Sequence, residues 1–192
     1  MSQPHLKKHY LEQVAPALMK SQGYKNLHQI PKMEKVVLNT AFGVEVDKGS
    51  LQDLRKDFAS LAGQAPVICK ARISVSNFKL RKGMPVGLKT TLRGEVMWDF
   101  LFRLIAIVLP NIRDFRGISP RLDGHGNYTL GITDHGIFPE INVERQRTNV
   151  GLDICIVTSA KTDEDGRELL SLLGMPFRKL STDQQEQQDA AA

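Results

Sequence analysis

The chain has 192 residues, 41% hydrophobic and 24% charged, with 26 Lys and Arg against 21 Asp and Glu and a net charge of +5. That length suits one domain with a core that needs no covalent staples, and its two cysteines, Cys69 and Cys155, cannot make a disulfide framework or a zinc cluster, as expected in a reducing cytoplasm. No apolar run is long enough to span a bilayer, the N-terminus has no secretory pattern, and a pI of about 9.3 favours nucleic acid over membrane as partner.

Leu6, Tyr10, Leu11, Val14 and Leu18 recur at helical spacing, with Gly23 as a stop and Pro16 as a defect inside the pattern. Glu34 to Thr40 alternates as a strand. Leu51, Leu54, Phe58 and Leu61 mark an amphipathic helix closed by Gly63. Val67 to Ala71 reads as a short strand and Pro85 to Arg93 as a clearer one. In the latter Val86, Leu88, Thr90 and Leu92 point one way, and Gly87, Lys89, Thr91 and Arg93 the other. Glu95 to Leu109 has a wide apolar face and ends at Pro110. Asn111 to Glu140 is turn-rich and lacks strong periodicity, which predicts a functional or poorly ordered stretch. Leu152 to Ala160 is a strand, and Thr162 or Asp163 caps a helix through Leu173. The Gln- and Ala-rich segment after Leu180 is expected to be disordered, leaving residues 1–180 as a single domain and 181–192 as a tail. Irregular alternation with hairpin-like connections predicts an α+β fold with an antiparallel sheet and helices on one face.

Charge is unevenly spread. From Phe58 to Gly94 there is no acidic residue, while Lys70, Arg72, Lys79, Arg81, Lys82, Lys89 and Arg93 fall inside the stretch. Folded proteins intersperse the two signs, so a one-sign segment points to a polyanion. The face Lys89, Thr91, Arg93 can meet phosphate and sugar oxygens, or it is simply a solvated outer face. Basic and polar residues of the loop Arg72 to Met84 surround Phe78, which either stacks on an unpaired base or belongs to a small satellite core. Such a loop would be flexible alone and order on binding.

The remaining signals read as structure. Gly124-His125-Gly126-Asn127 is a tight turn without the Lys-Ser or Lys-Thr of a phosphate loop. His5 and His9 lack a third metal ligand, and Asp163, Glu164 and Asp165 suit a helix start. No nucleophile–base pair, metal set or cofactor motif supports an enzyme. A general single-strand RNA-binding module remains an alternative, although its Lys/Arg-Gly-Phe/Tyr aromatic block is absent.

Several blocks in order also carry a resemblance. They are Gly63-Gln64-Ala65-Pro66 with Lys70-Ala71-Arg72 and Ser74; Asn77 through Pro85; Thr91-Leu92-Arg93-Gly94 with Met97-Trp98; Pro110 through Gly117; Gly126-Asn127-Tyr128; Ile137 through Glu140; and Pro176 through Lys179. Together, from about Tyr10 to Lys179, the chain resembles the bacterial large-subunit ribosomal proteins of the L-five family, which bind 5S ribosomal RNA. The resemblance implies a curved antiparallel sheet and a projecting basic hairpin loop. It also implies attachment of 5S rRNA in the central protuberance among neighbouring large-subunit proteins and rRNA. Asn39, Gln64 and Thr91 match family residues that meet 5S rRNA, and Lys70, Arg72, Lys89 and Arg93 are assigned with them. The loop Ile73 to Pro85, with Ser74, Ser76, Asn77, Lys79, Arg81 and Lys82, matches a loop facing peptidyl-site tRNA. Arg113, Asp114 and Arg116 are candidates for a bridge to a small-subunit head protein. The chain departs from the family at Ala41-Phe42-Gly43-Val44, where a Gly-x-Gly-Glu pattern is usual. It departs again at His125, usually Arg, and at Thr133-Asp134-His135, usually Arg-Glu-Gln, and the segment after Leu180 exceeds the usual length.

Overall fold

The computed structural model describes residues 4–24, 26–43, 48–141 and 150–178. Val44, Lys179 and the expected tail after Leu180 lie outside the described residues. Among those described, five antiparallel strands form one sheet in the order β2-β3-β1-β5-β4, where β1 is Met33–Ala41, β2 Val67–Lys70, β3 Pro85–Leu92, β4 Tyr128–Ile132 and β5 Leu152–Thr158. The fold is α+β, a single domain, as expected.

β1 lies at the centre because it is paired on both edges. Val36 stands opposite Leu92 and Ile156, and Leu38 opposite Thr90 and Ile154. These side chains share one face and are almost wholly buried, so period-two alternation sends the whole inward set into one core. Helices α3 (Lys48–Ala62) and α4 (Gly94–Arg103) pack against β3 and β1, and α1 (His5–His9) packs on α4. Tyr10 and Trp98 meet as tilted rings at 5.5 Å, and Phe100 stacks on Phe138 at 6.1 Å.

Pro16 does not end the first helix. α1 passes through a wide π turn, Tyr10–Val14, into α2 (Ala15–Gln22) with right-handed helical backbone at the joins. Proline lacks an N–H and crowds the carbonyl one turn back, and the wider turn immediately before it relieves both problems. A second π turn, Leu104–Val108, extends α4 toward Pro110.

The turn-rich region departs from expectation by containing β4. This strand has only five residues with Gly131 inside it, so alternation was too short to show, and pairing of Tyr128 with Ile156 and Ile132 with Leu152 supplies what propensity lacks. The chain on either side of β4 is tied down as well. Ile118 exchanges backbone hydrogen bonds with Pro176 (2.9 Å) and Arg178 (2.8 Å), and the Tyr128 hydroxyl donates to the Ser119 carbonyl at 2.7 Å. Burial pushes the Tyr128 phenol up to about 12. α5 (Asp163–Leu172) begins at Thr162, whose hydroxyl accepts from the Asp165 N–H as a cap.

At the unusual Ala41-Phe42-Gly43 segment the strand simply continues. Ala41 pairs with Gly87, and the Phe42 N–H reaches the Val86 carbonyl at 3.1 Å. Gly87 is required there for space: a Cβ would sit 2.5 Å from the Thr40 carbonyl oxygen. Gly87→Ala should therefore force the β1–β3 pair apart and cost about 1–3 kcal/mol, read as a lower urea midpoint with an unchanged slope.

Candidate nucleic-acid interface

The helix-free face of the sheet carries the outward set of each strand. Register places Val67, Lys89, Asn39, Asp153 and Gly131 in one row across all five strands. The adjacent row is Thr91, Val37, Cys155 and Thr129. The alternation read in β3 is correct: Leu88, Thr90 and Leu92 are buried, Lys89 is exposed and Thr91 half-buried. Arg93 lies one residue beyond the strand, still in extended backbone, as the N-cap of α4, and is exposed. Asn39 and Lys89 are direct cross-strand partners, a proximity no linear spacing could reveal. Gln64 is exposed in the turn after α3, where Gly63 ends the helix with φ +66°, and the turn leads into edge strand β2. Lys70 closes β2, and Arg72 begins the loop.

Asp153, Cys155, Val37 and Thr129 complete this face, and the sequence reading did not single them out. Alternation in β5 marks Asp153 and Cys155 as outward, but which strands they join is a matter of pairing. Asp153 puts an acid among the basic and neutral groups, which confines positive potential to the β2–β3 side.

The loop between β2 and β3, expected to be flexible alone, carries hydrogen bonds of its own. Ala71 donates to the Met84 carbonyl at 2.8 Å, and Gly83 returns to the Ala71 carbonyl at 2.9 Å. Val75 and Leu80 exchange two bonds of 3.0 Å. The Lys82 N–H donates to Ser74 Oγ at 3.0 Å. Ser76–Phe78 forms a single tight helical turn, and Lys79 turns the chain in left-handed backbone at φ +54°. Local backbone bonds rather than a partner set this shape. Ser74, Ser76, Asn77, Lys79, Arg81 and Lys82 are all exposed on it. Phe78 is 70% exposed and Ile73 73%, which excludes the satellite-core reading of Phe78.

Arg113, Asp114 and Arg116 sit together on an exposed turn after α4, with Asp114 at φ +53°. They lie apart from the sheet rows. Farther along, the His125 turn is clamped from two sides. The Asp163 carboxylate accepts from Gly124 N–H (3.0 Å) and Gly126 N–H (2.9 Å), so this acid holds a turn as well as starting a helix. Asp123 accepts from the backbone N–H of His125 and Asn127 and from the Asn127 side chain at 2.8 Å. Desolvation pushes the Asp123 carboxyl up, but those hydrogen bonds and the nearby His125 outweigh it and hold it below its ordinary 3.8. Gly126 is indispensable in this clamp, having φ +73° and a would-be Cβ only 2.7 Å from Ala160. His5 and His9 make separate contacts, His5 with the Phe102 ring and His9 with the Leu172 carbonyl. Among the described residues no His, Cys, Asp and Glu cluster suits a metal.

The architecture is thus an α+β sheet covered by helices on one side and open and largely polar on the other. A model of the family described as ribosomal protein L5 matches residues 26–81, and a second model, of the C-terminus of that ribosomal family, matches residues 85–177. The large ribosomal subunit protein uL5 of Thermosipho africanus is 51% identical over 176 residues, covering 91% of this chain and 97% of that protein. Those of Thermotoga maritima and Protochlamydia amoebophila are 49% and 53% identical, each over 91% of this chain, and covering 96% and 95% of those proteins. The chain belongs to the ribosomal protein L5 family. Its relatives are structural ribosomal proteins and not enzymes, in line with the expectation from the sequence.

Asp163→Ala leaves two backbone N–H groups without their acceptor and should lower stability by about 1–3 kcal/mol. Urea unfolding checks the size, and faster amide exchange at Gly124 and Gly126 checks the cause.

Proposed function

We propose that this chain is a cytoplasmic, ribosome-bound structural protein of the large subunit that holds 5S rRNA on the helix-free face of its sheet. The observation that carries this reading is the cross-strand pair Asn39–Lys89 with Thr91 one row away, on a face no helix covers. Lys89, Arg93, Lys70 and Arg72 supply charge for phosphates. Asn39, Thr91 and Gln64 supply donors and acceptors that fix where the RNA lies. The face carries no aromatic side chain in either of its two rows. Successive unstacked bases would therefore lack a platform, which disfavours a general single-strand module.

The β2–β3 loop serves a second RNA in this reading. Its Ser74, Ser76, Asn77, Lys79, Arg81 and Lys82 meet the backbone of peptidyl-site tRNA, and Phe78 stacks on an exposed base or ribose. A loop already shaped by its own hydrogen bonds loses little entropy on contact. The exposed turn of Arg113, Asp114 and Arg116 meets a small-subunit head protein, its mixed charges suiting a rim contact more than an anchor.

Thr91→Ala should weaken 5S rRNA binding by about 1–2 kcal/mol with little change in salt dependence. Lys89→Ala should reduce the magnitude of the log–log salt slope by roughly 0.7–0.9 per lost phosphate contact. Filter binding across a salt series measures both, and wild-type behaviour in both variants removes the open face from the interface. Joint replacement of Arg81 and Lys82 by Ala should leave 5S rRNA affinity intact while reducing tRNA retention by assembled ribosomes. The reverse result would reassign the loop.

A further inference from the structure

A cavity of about 420 Å³ opens where the chain passes from α2 into β1 and from β5 into α5. Tyr24, His28, Lys32, Ser159, Lys161 and Asp165 are among its walls. The two crossings meet because Met33 pairs with Thr158. They are locked by the Lys32 N–H donating to Ser159 Oγ (3.0 Å) and the Ser159 N–H donating to the Lys32 carbonyl (2.9 Å). The volume lies within the range of small-molecule sites, about 300–1,000 Å³.

Of the acids near this cavity, Asp165 is among its walls and two others are held by neighbouring groups. Asp165 stands beside Tyr24, whose phenol is pushed up to about 12 by desolvation and then by that carboxylate. Glu168 accepts from Ser21 and from Gln22 (2.6 Å). Asp163 holds the Gly124–Gly126 turn. Lys32 and Lys161 form no ion pair among the described residues. The cavity therefore offers two ammonium groups against the one carboxylate of Asp165 in its walls, beside two flat rings. That combination suits an anion attached to a planar heterocycle.

We propose that this cavity receives one unpaired nucleotide of the bound RNA, its phosphate between Lys32 and Lys161 and its base against Tyr24 and His28. The proposal rests on the rRNA-binding reading above and adds a subsite to it. Lys32 immediately precedes β1 and Asn39 lies near its far end, roughly 20 Å away at a strand's rise per residue, so this contact is separate from the Asn39–Lys89 face. Stacking would make it tolerant of base identity.

The test uses the full chain with 5S rRNA and, separately, with AMP. Joint replacement of Lys32 and Lys161 by Ala should weaken rRNA binding about tenfold and reduce the magnitude of the salt slope by roughly 0.7–0.9. Tyr24→Phe, which keeps the ring, should retain affinity. AMP should shift the NMR signals of Tyr24 and His28 in the wild type and not in the double variant. A double variant with wild-type rRNA affinity and slope, while Thr91→Ala still weakens binding, overturns the subsite and leaves the main reading intact. If AMP shifts those signals but the double variant binds rRNA normally, the cavity is a site for free nucleotides and the RNA assignment fails. A wild-type chain with no preference for 5S rRNA overturns both readings together.

Discussion

Everything on the open face depends on the register of β1 between β3 and β5. A slip of one residue would turn Val36 and Leu38 outward and carry Asn39 into the core, because side chains alternate with period two. Burial of the inward set on all three strands opposes that slip. The close approach of Gly87 to the Thr40 carbonyl adds a steric pin at one end of the pair, and the Thr40 hydroxyl adds a polar one by donating to the Gly151 carbonyl at 2.6 Å. The outward residues are placed by forces acting on the other side of the sheet. Asn39, Lys89 and Thr91 are thus free to be polar without any cost to packing.

Rigidity extends from the sheet into its connections. The β2–β3 loop inherits the hairpin geometry and then closes on itself through Val75 and Leu80, Ala71 and Met84, and Ser74 and Lys82. Arg103 plays a comparable part behind the sheet. Its guanidinium pairs with Glu140 and also donates to the Leu61 carbonyl at 3.1 Å, tying the last turns of α3 and α4 to the turn at Ile141. Since Leu61 is two residues before Gly63, that bond also steadies the turn presenting Gln64.

Local periodicity made the long elements legible. α3, α4, α5, β1, β3 and β5 follow from alternation or helical spacing, and the outward set of β3 could be named before any pairing was known. β4 could not, since five residues with an internal glycine carry too little pattern and the strand exists because β5 offers it an edge. The π turn before Pro16 was equally hidden, since the proline states the problem but not its solution. For the candidate site, charge marked the loop and the strand, while the pairing of Lys89 with Asn39 and the presence of Asp153 in the same row needed tertiary register. Phe78 stood between two readings until its exposure separated them.

The acids explain why a chain with a modest net charge presents strongly basic surfaces. α5 concentrates Asp163, Glu164, Asp165 and Glu168 on one element, where Asp163 serves a turn and Glu168 the end of α2. A carboxylate that accepts hydrogen bonds from neutral donors keeps its charge, but its field falls within about a Debye length, about 8–10 Å at physiological salt. The acid-free stretch from Phe58 to Gly94 then needs no large excess of base to act on a polyanion. Its effective potential is set by where the acids are held, and several of them lie on α5, which follows β5, a strand that β1 separates from β3 and β2 in the strand order.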